Sequence, residues 1–113
     1  MASLDQRVER LEFHISLLQN LVDHEMAPFL YLVLEARLSR EQLDAIYKLM
    51  DEVQDGIRQG NPMNHADFEQ RIYDIVPSKS GDYHFAESIV STLNKEHRYT
   101  DVYKHMKADG MNI

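Results

Sequence analysis

The sequence predicts an all-α fold, one bundle of five to six helices spanning residues 1–113. Three observations lead there. Apolar residues recur at spacings of three and four along most of the chain, and nowhere do they alternate as a half-buried strand requires. Ser or Asn stands with a polar partner three residues on at well-separated places, the signature of a helix start. Pro28, Gly60, Pro62, Pro77 and Gly110 fall at the edges of the periodic stretches. A chain of 113 residues makes one domain, able to bury roughly two-thirds of its unfolded surface without disulfide or metal staples.

The first helix opens at Ser3 with Gln6 as its capping partner. Along it Leu4, Val8, Leu11, Ile15, Leu18 and Val22 step by four, three, four, three and four residues, a heptad seam with Val or Ile at every a position and Leu at every d. That combination favours a parallel two-stranded pair. Arg7 at g would face Glu12 at e of the partner, an attraction worth only tenths of a kcal/mol at an exposed site. Pro28 fits the first turn of a new helix, so the seam helix should stop near Glu25 to Ala27.

From Pro28 to Leu38 the run Phe29-Leu30-Tyr31-Leu32-Val33-Leu34 has no polar face, which predicts a short helix enclosed on nearly all sides. Ser39 with Gln42 opens a long amphipathic helix from Arg40 to Gln59, carrying Leu43, Ile46, Tyr47, Met50, Val53 and Ile57, with Gly60 as its stop. After the Asn61-Pro62 loop, Asn64 caps a shorter helix marked by Phe68, Ile72, Ile75 and Val76; Asp67 complements its dipole and Pro77 ends it. Ser78 to Asp82 reads as a linker. Phe85, Ile89, Val90 and Leu93 give a fifth helix with Asp82 as a weaker cap; Val102, Tyr103 and Met106 give a last one, capped at Thr100 and closed by Gly110.

Composition excludes several classes. The chain has no cysteine, which removes disulfides, thiolate metal sites and cysteine nucleophiles and suits a reducing compartment, with the cytoplasm as the expected location. Met1 to Arg10 carries Asp5, Arg7, Glu9 and Arg10, so a signal peptide is not expected there. The longest apolar run, Phe29 to Leu34, is six residues, far below the roughly 20 that a membrane helix needs. The net charge of −7 is spread over both halves, so the clustered cations that drive phosphate binding are lacking. Lys95, Arg98, Lys104 and Lys107, with His97 and His105, form the most basic stretch, but Glu96 and Asp101 dilute it into a solvated face.

The segment Arg7-Val8-Glu9-Arg10-Leu11-Glu12-Phe13, followed by Ile15, Leu17-Leu18, Val22-Asp23, Pro28-Phe29 and Leu38-Ser39, resembles the YhaI-like proteins, small uncharacterised helical proteins of Bacillus and related bacteria. The resemblance is strongest from Arg7 to about Leu43, with Phe68, Tyr99 and Met106 in register beyond it. It implies a helical fold and a tendency to oligomerise, and it carries no catalytic or ligand residues. Where it implies Gly before an aromatic in the last inter-helix turn, this chain has His97-Arg98-Tyr99.

Four constellations invite a functional reading. Phe13, Leu17 and Leu21 make a second stripe on the first helix, so one face would meet a partner copy while the other packs on this chain's own later helices, unless the whole seam packs within one monomer. His97, Asp101 and His105 are spaced for one helix face, but a turn at His97 would split them, and no Glu-x-x-His pair occurs; a bound metal or cofactor is not expected. His14 and His24 read as interfacial or surface side chains. Ala36 to Leu43 has the outline of a helix-turn-helix unit in which Ser39, Arg40 and Gln42 would reach base edges, while Glu41, Asp44, Asp51, Glu52 and Asp55 make its second helix acidic and disfavour DNA. Catalytic motifs are absent, with no Gly-rich phosphate loop and no nucleophile elbow. The expected function is therefore a non-enzymatic homo-oligomer, dimer favoured over trimer, whose assembled surface binds another protein.

Overall fold

The computed structural model of the chain describes residues 2–22 and 25–113. Among these the fold is all-α: α1 (Leu4–Leu21), α2 (Pro28–Glu35), α3 (Arg40–Arg58), α4 (His65–Ile75), a 3₁₀ turn (Pro77–Lys79), α5 (Tyr83–Lys95) and α6 (Thr100–Ala108). The expected starts are present as chemistry. Ser3 Oγ accepts from the Gln6 N–H at 3.2 Å while Gln6 Oε1 accepts from the Ser3 N–H at 2.9 Å, and Ser39 and Gln42 repeat the exchange at 3.1 and 2.9 Å. Asn64 Oδ1 accepts from Asp67 N–H at 2.8 Å, and Asp82 Oδ1 accepts from Phe85 N–H at 3.3 Å.

The core is centred on α5, where Phe85, Ala86, Ile89, Val90 and Leu93 are buried. This helix packs against α2, α4 and α6, and α3 closes the other side by packing on α4 and α6. Ile46, Leu49, Met50 and Val53 of α3, Phe68 and Ile72 of α4, and Val102 and Met106 of α6 complete one apolar cluster. Their three- and four-residue spacing put them on one face of each helix.

α1 contributes nothing to that cluster: none of its residues is buried, and it makes no extensive contact with another element. The chain accordingly measures 59 × 27 × 22 Å, with a radius of gyration of 16.2 Å. A compact chain of this length would have about 13 Å. The expectation that Phe13, Leu17 and Leu21 pack on the later helices is thus corrected, because α2 to α6 already satisfy one another's apolar faces.

Three further expectations change. The seam helix ends at Leu21, where Val22 turns extended (φ −70°, ψ 125°) and sends its N–H back to the Gln19 carbonyl at 3.2 Å, so Val22 flanks the helix instead of extending the seam within it. Asp23 and His24 lie outside the described residues. α2 is not enclosed: Phe29 is buried, but Leu30 is 52% exposed, since only the Phe29, Leu32 and Val33 side meets the core. Thr100 is the first residue of α6 and not its cap; Tyr99 precedes it in the left-handed region (φ 55°) without a side-chain cap bond.

Two helix starts use carboxylates from far along the chain. α2 has no local side-chain cap, and its Phe29 N–H donates to Glu96 Oε2 at 2.7 Å from the end of α5. The His65 N–H at the start of α4 donates to Asp109 Oδ2 at 2.8 Å from the end of α6. Each places a negative group at the positive end of a helix.

Four helix ends, those of α2, α3, α5 and α6, share one device. Leu38, Asn61, Arg98 and Met111 each return a backbone N–H to the carbonyl five residues earlier, which needs a left-handed residue just before them. Gly60 and Gly110 take that position in α3 and α6, but Arg37 (φ 54°) takes it in α2 and His97 (φ 61°) in α5. The left-handed conformation costs an L-residue about 1–2 kcal/mol. His97 therefore stands where glycine would be unstrained, in the very turn where the chain departs from its resemblance.

Two outcomes follow. His97→Gly should raise stability by about 1 kcal/mol, read as a thermal midpoint a few degrees higher. Glu96→Ala should lower it by about 1–2 kcal/mol while Glu96→Gln, which keeps an acceptor for Phe29, loses less; denaturant titration of the three chains measures both.

Candidate functional site

The candidate site is the surface of α1. Eight large apolar side chains there, Leu4, Val8, Leu11, Phe13, Ile15, Leu17, Leu18 and Leu21, are each 43–80% exposed. At about 100° per residue, the a and d residues share one stripe, while Phe13 lies on the opposite side and Leu17 and Leu21 rotate back towards it. The stripes therefore merge over the last turns into one broad apolar arc. The exposed a and d stripe is an apolar surface of the kind that marks an interaction site, with Phe13 lying outside it. Arg7 and Glu12 are exposed along the helix, and His14 is exposed with its ring 5.8 Å from that of Phe13.

The seam's flank is what faces the rest of the chain. Glu12, Ile15, Ser16 and Gln19 border a shallow cleft of about 310 Å³ whose other wall is Leu34 and Arg37, at the end of α2. α1 thus borders α2 along an edge that includes Ile15, while Leu4, Val8, Leu11 and Leu18 stay exposed.

The remaining candidate residues have structural occupations. His97 sits in the turn after α5, whereas Asp101 and His105 are on α6, and His105 Nε2 lies 2.8 Å from the Met63 carbonyl, tying the loop before α4 to α6. No group of three or more His, Asp or Glu among the described residues is placed to hold a metal ion. Ser39 and Gln42 spend their side chains on each other's backbone, and Gln42 Nε2 also donates to the Ile75 carbonyl at 3.3 Å, so of the expected base-reading trio only Arg40 remains outside the cap. Arg98 is drawn inward from the basic stretch: its guanidinium lies 5.0 Å from the Tyr47 ring centre and 3.6 Å from Glu96.

Electrostatics elsewhere also serve the fold. The His65 ring Nδ1 is 2.7 Å from Asp109 Oδ2; that hydrogen bond raises the imidazole above its ordinary value, and the His65 backbone and ring donors together lower the carboxyl. Tyr99 donates to Asp51 Oδ1 at 2.7 Å, and burial, with that carboxylate, pushes its phenol up to about 12. A groove of about 720 Å³ is lined by Asp51, Glu52, Asp55 and Asp67 with Lys48 and the Asn61 to Asn64 loop. Arg71 makes a two-pronged pair with Glu52 at its edge, 2.7 and 3.3 Å.

The distant caps Glu96 and Asp109, and the outward Leu30 and Leu34, have no local signal in the sequence. The heptad seam does. If α1 is an interface helix and not a core helix, Leu11→Ala should change the stability of the dissociated chain by less than about 0.5 kcal/mol, whereas Leu93→Ala should cost about 2–5 kcal/mol; denaturation at low protein concentration reads the contrast.

No solved structure is significantly similar to this chain. The family described as a protein of unknown function, DUF1878, matches residues 1–109, a span that takes in α1 together with every helix of the body. The chain belongs to the DUF1878 family, whose function is unknown.

Proposed function

We infer that the chain is a homo-oligomeric helical module of a bacterial cytoplasm, acting in protein interaction or as a structural part and not as a catalyst, and that two copies associate through α1. The observation that carries this reading is the apolar a and d stripe of α1, exposed beside a core that closes without it. Leaving so much apolar surface in water is unfavourable at about 25 cal/mol per Å², and pairing with an identical helix removes it with no new sequence required. Val or Ile at a and Leu at d support two strands; the added Phe13, Leu17 and Leu21 leave a trimer as the alternative. The resemblance of Arg7 to Leu43 to YhaI-like proteins of Bacillus supports the bacterial setting and the oligomeric habit.

Ile15 stands at the centre of the seam. Light scattering at tens of micromolar, the range for a modest association, should give a dimer for the unmutated chain and, for Ile15→Asp, a monomer whose α2 to α6 body stays folded. A monomer before mutation contradicts the reading.

A further inference from the structure

The loop from Asn61 to Asn64 is held at both ends, by contacts of different chemistry. At its start the Asn61 N–H donates to the Gly56 carbonyl at 2.8 Å, and the two backbones approach so closely that a Cβ on Gly56 would lie 2.7 Å from the Asn61 carbonyl oxygen. That contact involves no titratable group. At its other end two histidines tie the loop and the start of α4 to α6. A carbonyl only accepts, so His105 Nε2 donates to the Met63 carbonyl at 2.8 Å. The backbone N–H and ring Nδ1 of His65 both meet one oxygen, Asp109 Oδ2, at 2.8 and 2.7 Å.

We propose that the His65 to Asp109 contact is a proton-operated latch, tightened when the imidazole takes up a proton and loosened when it loses it, which sets how firmly the loop and the start of α4 are held against α6. The loop is one wall of the 720 Å³ groove lined by Asp51, Glu52 and Asp55 of α3, so the latch acts on the shape of that groove. An ionised carboxylate only accepts, so His65 keeps a hydrogen on Nδ1 in either charge state and gains its second on Nε2. Gaining it turns a neutral hydrogen bond into a charge-assisted one, roughly twice as strong. The two side chains are 34% and 32% exposed, which leaves the pair open to proton exchange with water.

Carboxylates dominate the surroundings of His65. Asp109 follows α6 and Glu69 lies one turn along α4; the Asp109 hydrogen bond, with smaller help from both charges, holds the imidazole above its ordinary value. His105 of α6 acts on Asp109 and helps to keep it ionised. Across the groove α3 presents Asp51, Glu52 and Asp55 with Lys48, of which Asp51 is bonded to Tyr99 and Glu52 to Arg71. At the far end of α4, Asp82 and Glu87 act on Tyr73, and Lys79 lies over the Phe85 ring. Because His65 is raised, its share of stability is complete below its ordinary pKa of 6.5 and is lost as pH rises through the higher folded value. Asp109 is lowered, chiefly by the His65 backbone N–H, so its share is complete above 3.8 and is lost as pH falls through the folded value. The latch is therefore closed in mild acid and loosens on the alkaline side.

Imidazole NMR on the full chain, with amide exchange in the first turn of α4, tests the latch. In the unmutated protein the His65 ring should titrate above 6.5 and be protonated on Nδ1 when neutral, and Asp109→Asn should bring its midpoint down towards 6.5. The Asp67 and Phe68 amides, which bond to the Asn64 side chain and carbonyl, should lose protection about threefold or more between about pH 6 and about pH 8.5. His65→Gln, which keeps the backbone bond to Asp109 but cannot take up a proton, should abolish that dependence. A neutral ring protonated on Nε2, or a midpoint that Asp109→Asn leaves in place, overturns the proposal. Protection that does not change with pH in the unmutated chain, or that still falls in His65→Gln, overturns it as well.

Discussion

The burial of α5 is the constraint on which the rest of the structure depends. Its side chains Phe85, Ala86, Ile89, Val90 and Leu93 are enclosed by α2, α4 and α6, and α3 seals the cluster from the opposite side. Five helices are enough to enclose that surface without α1. The amphipathic first helix then stands outside a finished core. α1 makes no extensive contact with any helix of the body. On the reading proposed above, association with another apolar helix removes the stripe from water.

The short helices of the body are held in register by polar contacts at their ends. Glu96 terminates α5 and caps α2; Asp109 terminates α6 and caps α4. Each carboxylate joins a helix end to a helix start far away in sequence, so the turns that follow α5 and α6 fix tertiary geometry as well as local conformation. This accounts for tolerance of strain at His97 and Tyr99, both left-handed without being glycine. The same turn delivers Glu96 to Phe29, Arg98 to the rings of Phe29 and Tyr47, and Tyr99 to Asp51. Several favourable contacts offset a backbone cost of about 1–2 kcal/mol per left-handed residue.

What could be read in the sequence was local. Ser3, Ser39, Asn64 and Asp82 announced helix starts because a cap acts over three residues, and periodic apolar positions on α3, α4, α5 and α6 announced the core because only one face of each is apolar. α2 misled for the complementary reason: a helix apolar all round looks like a core helix, yet the pattern cannot distinguish enclosure by its own chain from enclosure by another, and Leu30 faces outward. The seam on α1 was legible as an apolar stripe along a helix, but not as one detached from its own bundle. Glu96 and Asp109 as caps, and His97 as a left-handed residue, were invisible because the partners that hold them are distant in sequence.

The central claim is that α1 is protected by another chain and the core by its own. Amide hydrogen exchange followed as a function of protein concentration tests this most directly, since an associating helix borrows its stability from mass action and a core helix does not. The account predicts that α1 amides such as those of Leu11, Ile15 and Leu18 gain protection as concentration rises through the dimer range, whereas those of Ile89, Val90 and Leu93 in α5 stay equally slow throughout. Protection of α1 that is independent of concentration would contradict it.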